Sequence, residues 1–294
     1  MNAQVAVALD RTSTRSPRFP AHRPPHVESF EVKVDAELGS IWVTRKADSS
    51  ASITRQQLRD TQVVDEAIDR ELYRGNRFKV LASAQRGVFS LGGDLSFFVD
   101  CIARQDRDGL SAYATLAIDA IANNVSGHGA LNLDTIALIT GETQGGGFEA
   151  ALSCHLLVAE RGSHFGFPEP LFGMFPGMGG KRLLSARVGE AVASRIMRSS
   201  NRYPAEFLHD IGVIDYLVEP GSGAAFVSRL LSRTRMESSV EAQRLALRKA
   251  QLGAITRSEL EESIERWTEQ AMVLNTRQIR TMKYIIEMQS RRVA

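Results

Sequence analysis

A parallel α/β fold with a helical C-terminal extension is the architecture this sequence predicts, and three observations carry it. Short runs of apolar and β-branched residues enter glycine-rich turns that lead into helical stretches, and these strand-turn-helix units recur through residue 220 or so. The 294 residues, 43% hydrophobic and 24% charged, suffice to bury one full core. The C-terminal part reads as helix: Leu260, Ile264, Trp267, Ala271 and Leu274 fall on one helical face, and Ile279, Met282, Ile285 and Met288 outline a second. Core packing or subunit contact is the expected use of both faces, with lining of a pocket the lesser alternative.

The elements follow in order. Residues 1–27 carry Arg11, Arg15, Arg18 and Arg23 among Pro17, Pro20, Pro24 and Pro25, a composition that builds no core, so a flexible basic tail is expected. Residues 28–220 are assigned to the catalytic core and 221–294 to a helical capping or oligomerisation region. Alternation of Phe30, Val32 and Val34, followed by Ile41-Trp-Val-Thr44, predicts an opening hairpin. Residues 46–76 are polar and read as helix or loop. A buried strand over Lys79–Ala84 runs to Phe89-Ser-Leu-Gly-Gly-Asp94, with helices from Leu95 to about Ser126 and a turn over Asn123–Gly129. A second buried strand, Thr135–Thr140, enters Gly145-Gly-Gly147. A third covers Leu156–Ala159, and helices span about Lys181 to Arg198.

The chemistry concentrates between Gly145 and Gly180. Three consecutive glycines let the backbone approach a ligand closely. The apolar run Phe148–Leu152 places them at a helix start, where free amides favour an oxygen gaining negative charge. Glu149 lies in the first turn of that helix. A glutamate there also complements the helix dipole, and that is the structural alternative. Glu169 sits in Phe167-Pro-Glu-Pro170, between prolines that stiffen the backbone, and Phe175-Pro-Gly-Met-Gly-Gly180 forms another close-approach turn. Two glycine turns, each beside a carboxylate, are harder to dismiss than either alone.

Taken together, these segments resemble the ordered motifs of the crotonase (enoyl-CoA hydratase/isomerase) superfamily over about residues 28–290. They include Tyr203-Pro-Ala-Glu-Phe-Leu-His-Asp-Ile-Gly-Val-Ile-Asp-Tyr-Leu-Val218, similar to the family's helix-then-strand segment. Within the superfamily the chain looks most like the bacterial diffusible-signal-factor synthases. That likeness rests on Gly145 to His155, on Leu91-Gly-Gly-Asp94, and on the tail around Trp267, Ala271-Met272 and Arg280-Thr-Met282 to Gln289-Ser-Arg-Arg292. The resemblance implies a spiral of β-β-α units, a Glu149–Glu169 acid–base pair, and an oxyanion hole of the Leu91 and Gly146 amides. Gly92, Gly93, Gly145 and Gly177 would contact substrate. It further implies dehydration of a 3-hydroxyacyl thioester on acyl carrier protein to a cis-2-enoyl thioester, then hydrolysis to a free signalling fatty acid. An enoyl-CoA hydratase without thioesterase activity is the nearest rival, and a regulatory partner of a sensor kinase is the rival of another class. A homo-oligomer, trimeric or a multiple of that, is implied likewise.

Such chemistry suits these residue types. A thioester α-proton is removed only if the enolate is stabilised as it forms, and each amide donor in a dry site contributes on the order of 3 kcal/mol. One carboxylate must then be ionised and the other protonated. The same hole serves hydrolysis, so no further nucleophile is needed. Other nucleophile candidates are weak: Cys154 and His155 are adjacent and read as core, and Ser163-His164 lacks a G-x-S-x-G elbow. His22 and His26 fall in or near the tail, and His128 and His209 stand alone.

No His, Cys or carboxylate spacing matches a zinc site, so neither metal nor cofactor is expected beyond the phosphopantetheine of acyl carrier protein or coenzyme A. The net charge of +2 argues against a nucleic-acid partner, though Lys181-Arg182, Arg187 and Arg291-Arg292 are candidates to meet a carrier phosphate. The two cysteines fit a reducing cytoplasm, and no apolar run is long enough to span a membrane. Two features depart from the family pattern: Thr143-Gln144 stands where Ala-Leu is usual, and Gly179-Gly-Lys-Arg-Leu183 is nearer to ordinary hydratases.

Overall fold

The computed structural model describes residues 24–70, 75–236 and 238–293. Its strands are β1 (Phe30–Asp35), β2 (Ser40–Arg45), β3 (Phe78–Ser83), β4 (Val88–Ser90), β5 (Asp134–Ile139), β6 (Glu142–Gln144), β7 (Leu156–Glu160), β8 (His164–Gly166), β9 (Tyr203–Pro204) and β10 (Tyr216–Val218). Its helices are α1 (Arg55–Asp69), α2 (Leu95–Arg104), α3 (Arg107–Ser126), α4 (Gly146–Leu152), α5 (Gly180–Val188), α6 (Glu190–Ser199), α7 (Ala205–Asp210), α8 (Gly223–Thr234), α9 (Val240–Gly253), α10 (Arg257–Met272) and α11 (Thr276–Val293).

Two sheets run through the molecule, a larger one in the order β1-β2-β3-β5-β7-β10 and a smaller one in the order β4-β6-β8-β9. Pairing is parallel except for the β1–β2 hairpin and the β8–β9 edge. Successive units add their first strand (β3, β5, β7) to the large sheet and their second (β4, β6, β8) to the small one. This is the crotonase spiral, as the motifs implied. The central strand β5 is buried at all six positions, so its sequence DTIALI reads as a near-continuous apolar run rather than an alternation.

The expected hairpin forms in the register Val32 opposite Val43, and the strand entering the triple glycine is β5 followed by β6. Asp94 caps α2 by accepting the Phe97 amide, which explains why the helix begins at Leu95. The turn expected over Asn123–Gly129 starts later, because α3 continues to Ser126 and Gly127 ends it at φ +62°. Residues 1–23 of the expected tail lie outside the described residues. Val27, at the far end of that segment, is buried with Ile41 and Ile68, and its carbonyl accepts from Lys46.

The C-terminal helices divide their work. Val227, Leu230, Leu231 and Leu245 of α8 and α9 cover the outer face of the large sheet, packing on Ile136 and Val158. Helix α10 lies along α3, while α11 spans from α2 to the short 3-10 turn Glu169–Phe172. Leu260, Trp267, Ala271, Leu274 and Met282 join the main core, as helical spacing predicted. No helix among the described residues is long and apolar enough to cross a membrane.

Candidate active site

Each β-β-α unit delivers its second strand to one cavity. Strand β4 ends in the turn Leu91–Asp94, β6 ends at Gly145, and β8 leads through Phe167-Pro168 to Glu169. The eight site residues picked from sequence, Leu91, Gly92, Gly93, Gly145, Gly146, Glu149, Glu169 and Gly177, all line this one cavity. Glycine is required at two of them for stated reasons. Gly92 has φ +89° and abuts the Gln144 carbonyl, and Gly145 has φ +48° with its Cα against Glu169 Oε1, so a Cβ at either would collide.

Glu149 sits one turn into α4 with 1% exposure. Its Oε1 accepts the Met178 and Gly180 amides, both at 2.8 Å, so the second glycine turn clamps the first carboxylate. Gly180 leaves room for that clamp, because a Cβ there would stand 2.9 Å from the same oxygen. Glu169 opens the 3-10 turn, and its Oε2 is shut off from solvent without a hydrogen-bond partner. Burial pushes the Glu149 carboxyl up to about 7 against the pull of the Gly180 and Met178 amides. Burial and then the charge of Glu149 push Glu169 up to about 8. Both carboxyls are thus held above the usual carboxylate range, and the amide clamp favours placing a shared negative charge on Glu149.

One of the two amides expected to form the oxyanion hole already has a partner. The Leu91 amide is engaged, donating to the Ala51 carbonyl at 2.9 Å, because the loop before α1 runs alongside the first motif. The Gly93 nitrogen is the backbone nitrogen of the first motif near the second, 3.5 Å from where a Cβ on Gly146 would stand. Gly177 packs its Cα against the Trp267 indole, and its carbonyl accepts from Ser263, so α10 holds the second turn in place.

The rest of the wall is apolar and includes Phe98, Ile102, Phe172, Trp267, Leu274 and Met282. Trp267 and Met282 are thus both core and pocket, which helical spacing alone does not distinguish. Three residues that sequence reasoning missed complete the wall. Tyr113 donates to the Ile53 carbonyl at 2.6 Å, Met178 lies over Gly146, and Gln289 of α11 donates to the Leu91 carbonyl at 3.0 Å. Nothing local in the sequence marks Tyr113, whereas Met178 lies in the turn Phe175–Gly180 and Gln289 in the C-terminal tail, segments already noted without these residues being picked out.

Other candidates fall elsewhere. Cys154 is buried, its thiol pushed up to about 12 by burial, and His155 is buried with its Nδ1 accepting the Thr135 amide. Ser163 accepts the Gly141 amide and serves a turn. Thr143 and Gln144 do not line the cavity; the Gln144 side chain donates to Glu142 at 3.1 Å and steadies β6. Of the basic residues proposed for carrier docking, Arg187 is buried against Asp215, while Lys181 and Arg182 form surface pairs with Glu190 and Glu259.

The fold agrees with what known proteins show. The family model described as enoyl-CoA hydratase/isomerase matches residues 70–285. The chain belongs to that family. Among curated relatives, the peroxisomal fatty acid beta-oxidation multifunctional protein MFP2 of Arabidopsis thaliana is 30% identical over 149 residues, 51% of this chain and 20% of that protein. The chain therefore matches about a fifth of the length of such multifunctional relatives. Human mitochondrial delta3-delta2-enoyl-CoA isomerase superposes with a TM-score of 0.73 at 17% identity, covering 90% of this chain and 99% of that one. DspI of Pseudomonas aeruginosa superposes at 0.61 with 23% identity, over 87% and 98% of the two chains. Membership of the family and the likeness of fold are what these comparisons establish.

Proposed function

We propose that this enzyme dehydrates a 3-hydroxyacyl thioester and then hydrolyses the enoyl thioester, releasing a cis-2-unsaturated fatty acid of the diffusible-signal type. The observation that carries the reading is the Glu149–Glu169 pair, two carboxyls on one apolar cavity whose burial keeps one protonated near neutral pH. The ionised member takes the α-proton, the protonated member supplies a proton to the departing β-hydroxyl, and the Gly146 amide receives the enolate oxygen. Hydrolysis reuses the same set, with a carboxylate activating water and the same oxygen gaining charge. The likeness of the Leu91–Asp94, Gly145–His155 and Trp267–Arg292 segments to the signal synthases supports the hydrolytic half.

A groove adjoins the cavity between Ser49, Ser50 and Ser52 on one side and Asp94, Ser96 and Gln289 on the other. It shares Leu91, Leu95 and Gln289 with the carboxylate cavity. The groove suits a pantetheine arm, whose amides find hydroxyl partners there, whether carried by acyl carrier protein or coenzyme A.

The second reading is a plain enoyl-thioester hydratase, favoured by Gly179-Gly180, the hydratase-like turn that clamps Glu149. Mass spectrometry of purified protein with 3-hydroxydodecanoyl thioesters, on carrier protein and on coenzyme A, separates the two. Free cis-2-enoic acid supports the synthase. A reversible hydroxyacyl/enoyl mixture without free acid means the hydratase. No turnover of either substrate leaves a binding partner of another protein, such as a sensor kinase, as the surviving reading.

A further inference from the structure

A second cavity lies behind the carboxylate site, among α1, α3, α4 and the ends of β2 and β3. It has about 110 Å³ of free space against about 50 Å³ around the carboxylates. An apolar cavity of about 150 Å³ holds one benzene-sized ligand, so neither space alone accommodates a medium-length acyl chain. Most of the inner wall is hydrocarbon, from Ile53, Leu58, Phe89, Ala117, Ile121 and Ala150. The charged residues in this wall are hydrogen-bonded: Lys79 donates to Asp65 at 2.7 Å, and Arg45 donates through one terminal nitrogen to the Ala51 and Phe89 carbonyls while its Nε is left without a partner.

Met178 lines both cavities. Its ε-methyl stands 2.5 Å from where a Cβ on Gly146 would be, and Ile53 Cδ1 stands 3.6 Å from the same point. The two side-chain tips therefore close over the glycine whose amide would receive the thioester oxygen. Methionine has three rotatable side-chain bonds and no branch, so its tip can swing aside without moving the backbone amide that clamps Glu149.

We propose that the inner cavity is an acyl-tail compartment and that the Met178 side chain is its partition. An alkyl chain longer than the carboxylate cavity can hold displaces Met178 and runs beneath Gly146 into the space between α1 and α3. Met178 and the small residues Ala117 and Ala120 of α3 then set the acyl length. This rests on the acyl-thioester reading, and it is testable by binding without turnover.

The test compares S-dodecyl-pantetheine with S-butyl-pantetheine, thioethers inert to dehydration and hydrolysis, by isothermal titration calorimetry. Each methylene buried is worth roughly fourfold in affinity, so wild type prefers the dodecyl probe. Ala120→Leu, which is half-buried and accommodates the added bulk, lowers dodecyl affinity at least tenfold and leaves butyl affinity unchanged. Ala117→Leu does the same if it folds, and Met178→Ala strengthens dodecyl binding. Equal affinity of wild type for both probes, or unchanged dodecyl binding in a folded Ala120→Leu, overturns the proposal. Binding of both probes with the expected length preference, but no turnover of any 3-hydroxyacyl thioester, sinks the reaction and keeps the compartment. Turnover with no length effect does the reverse, and failure to bind either probe sinks both.

Discussion

Two regions of this molecule bury ionisable groups, and they treat them in opposite ways. In the carboxylate cavity, two like-charged side chains share an apolar pocket without any cation, and Glu169 Oε2 has no partner at all. In the core, the Asp215 and Asp65 clusters pair their buried charges. Asp215 accepts from Arg187, Arg248 and the Leu157 amide at 2.7–3.1 Å. Lys79 donates to Asp65 and lies 2.9 Å from His128 Nε2. Lysine only donates, so His128 Nε2 accepts and its Nδ1 hydrogen goes to Asp69 at 3.0 Å. The contrast teaches that burial alone does not mark a site. Uncompensated burial does, because an unpaired carboxyl in a dry pocket costs stability and yields instead a proton poised near neutral pH.

The largest break in that comparison comes from the carboxylates. Glu149→Gln and Glu169→Gln should each lower dehydration by about 10²–10⁴-fold while the melting transition persists. Mass spectrometry of the acyl products checks this, and full activity in both variants would remove the assigned role. Asp215→Ala should do the opposite: because it strands the buried Arg187 guanidinium and leaves the partly buried Arg248 unpaired, a loss of about 3–5 kcal/mol is expected in urea denaturation.

Stability against pH sharpens the contrast further. A glutamate near 4.3 unfolded and about 8 folded holds its proton only in the native state over that window, so its contribution declines as pH rises toward 8. Glu169→Gln should therefore melt higher than wild type at pH 8 and equally at pH 4. His128 has the reverse sign. Burial, then Lys79, lowers it to about 4, so its contribution is lost as pH falls from about 6.5 toward 4. His128→Gln should flatten that acid limb, and thermal scans across pH 4–8 by roughly half-unit steps read both effects. At the small end, Arg182→Ala breaks an exposed pair with Glu259, and a change of about 0–1 kcal/mol is expected from the same scans.

Legibility in the sequence followed the range of the interactions concerned. Apolar periodicity and glycine turns are local, so β3, β5, β7, α2 and α4 were readable within a residue or so. The carboxylates were readable too, because each is framed by its own turn. Leu91 was assigned its donor role from the motif. Its amide is instead taken by Ala51, a partner forty residues away that no local pattern announces. His128 reads as an isolated histidine and becomes part of a buried network only when α1 and β3 meet beside it.

By itself, the sequence determined the succession of strand-turn-helix units, the helical C-terminus and the positions of Glu149 and Glu169, since these depend on side-chain periodicity and backbone freedom over a few residues. The tertiary structure alone decided that the two carboxyls share one dry cavity, that Met178 and Gln289 stand at its edges, and that Lys181, Arg182 and Arg187 are already paired. Those outcomes depend on which distant surfaces exclude water from one another. Desolvation is a property of the assembled packing, not of any one segment.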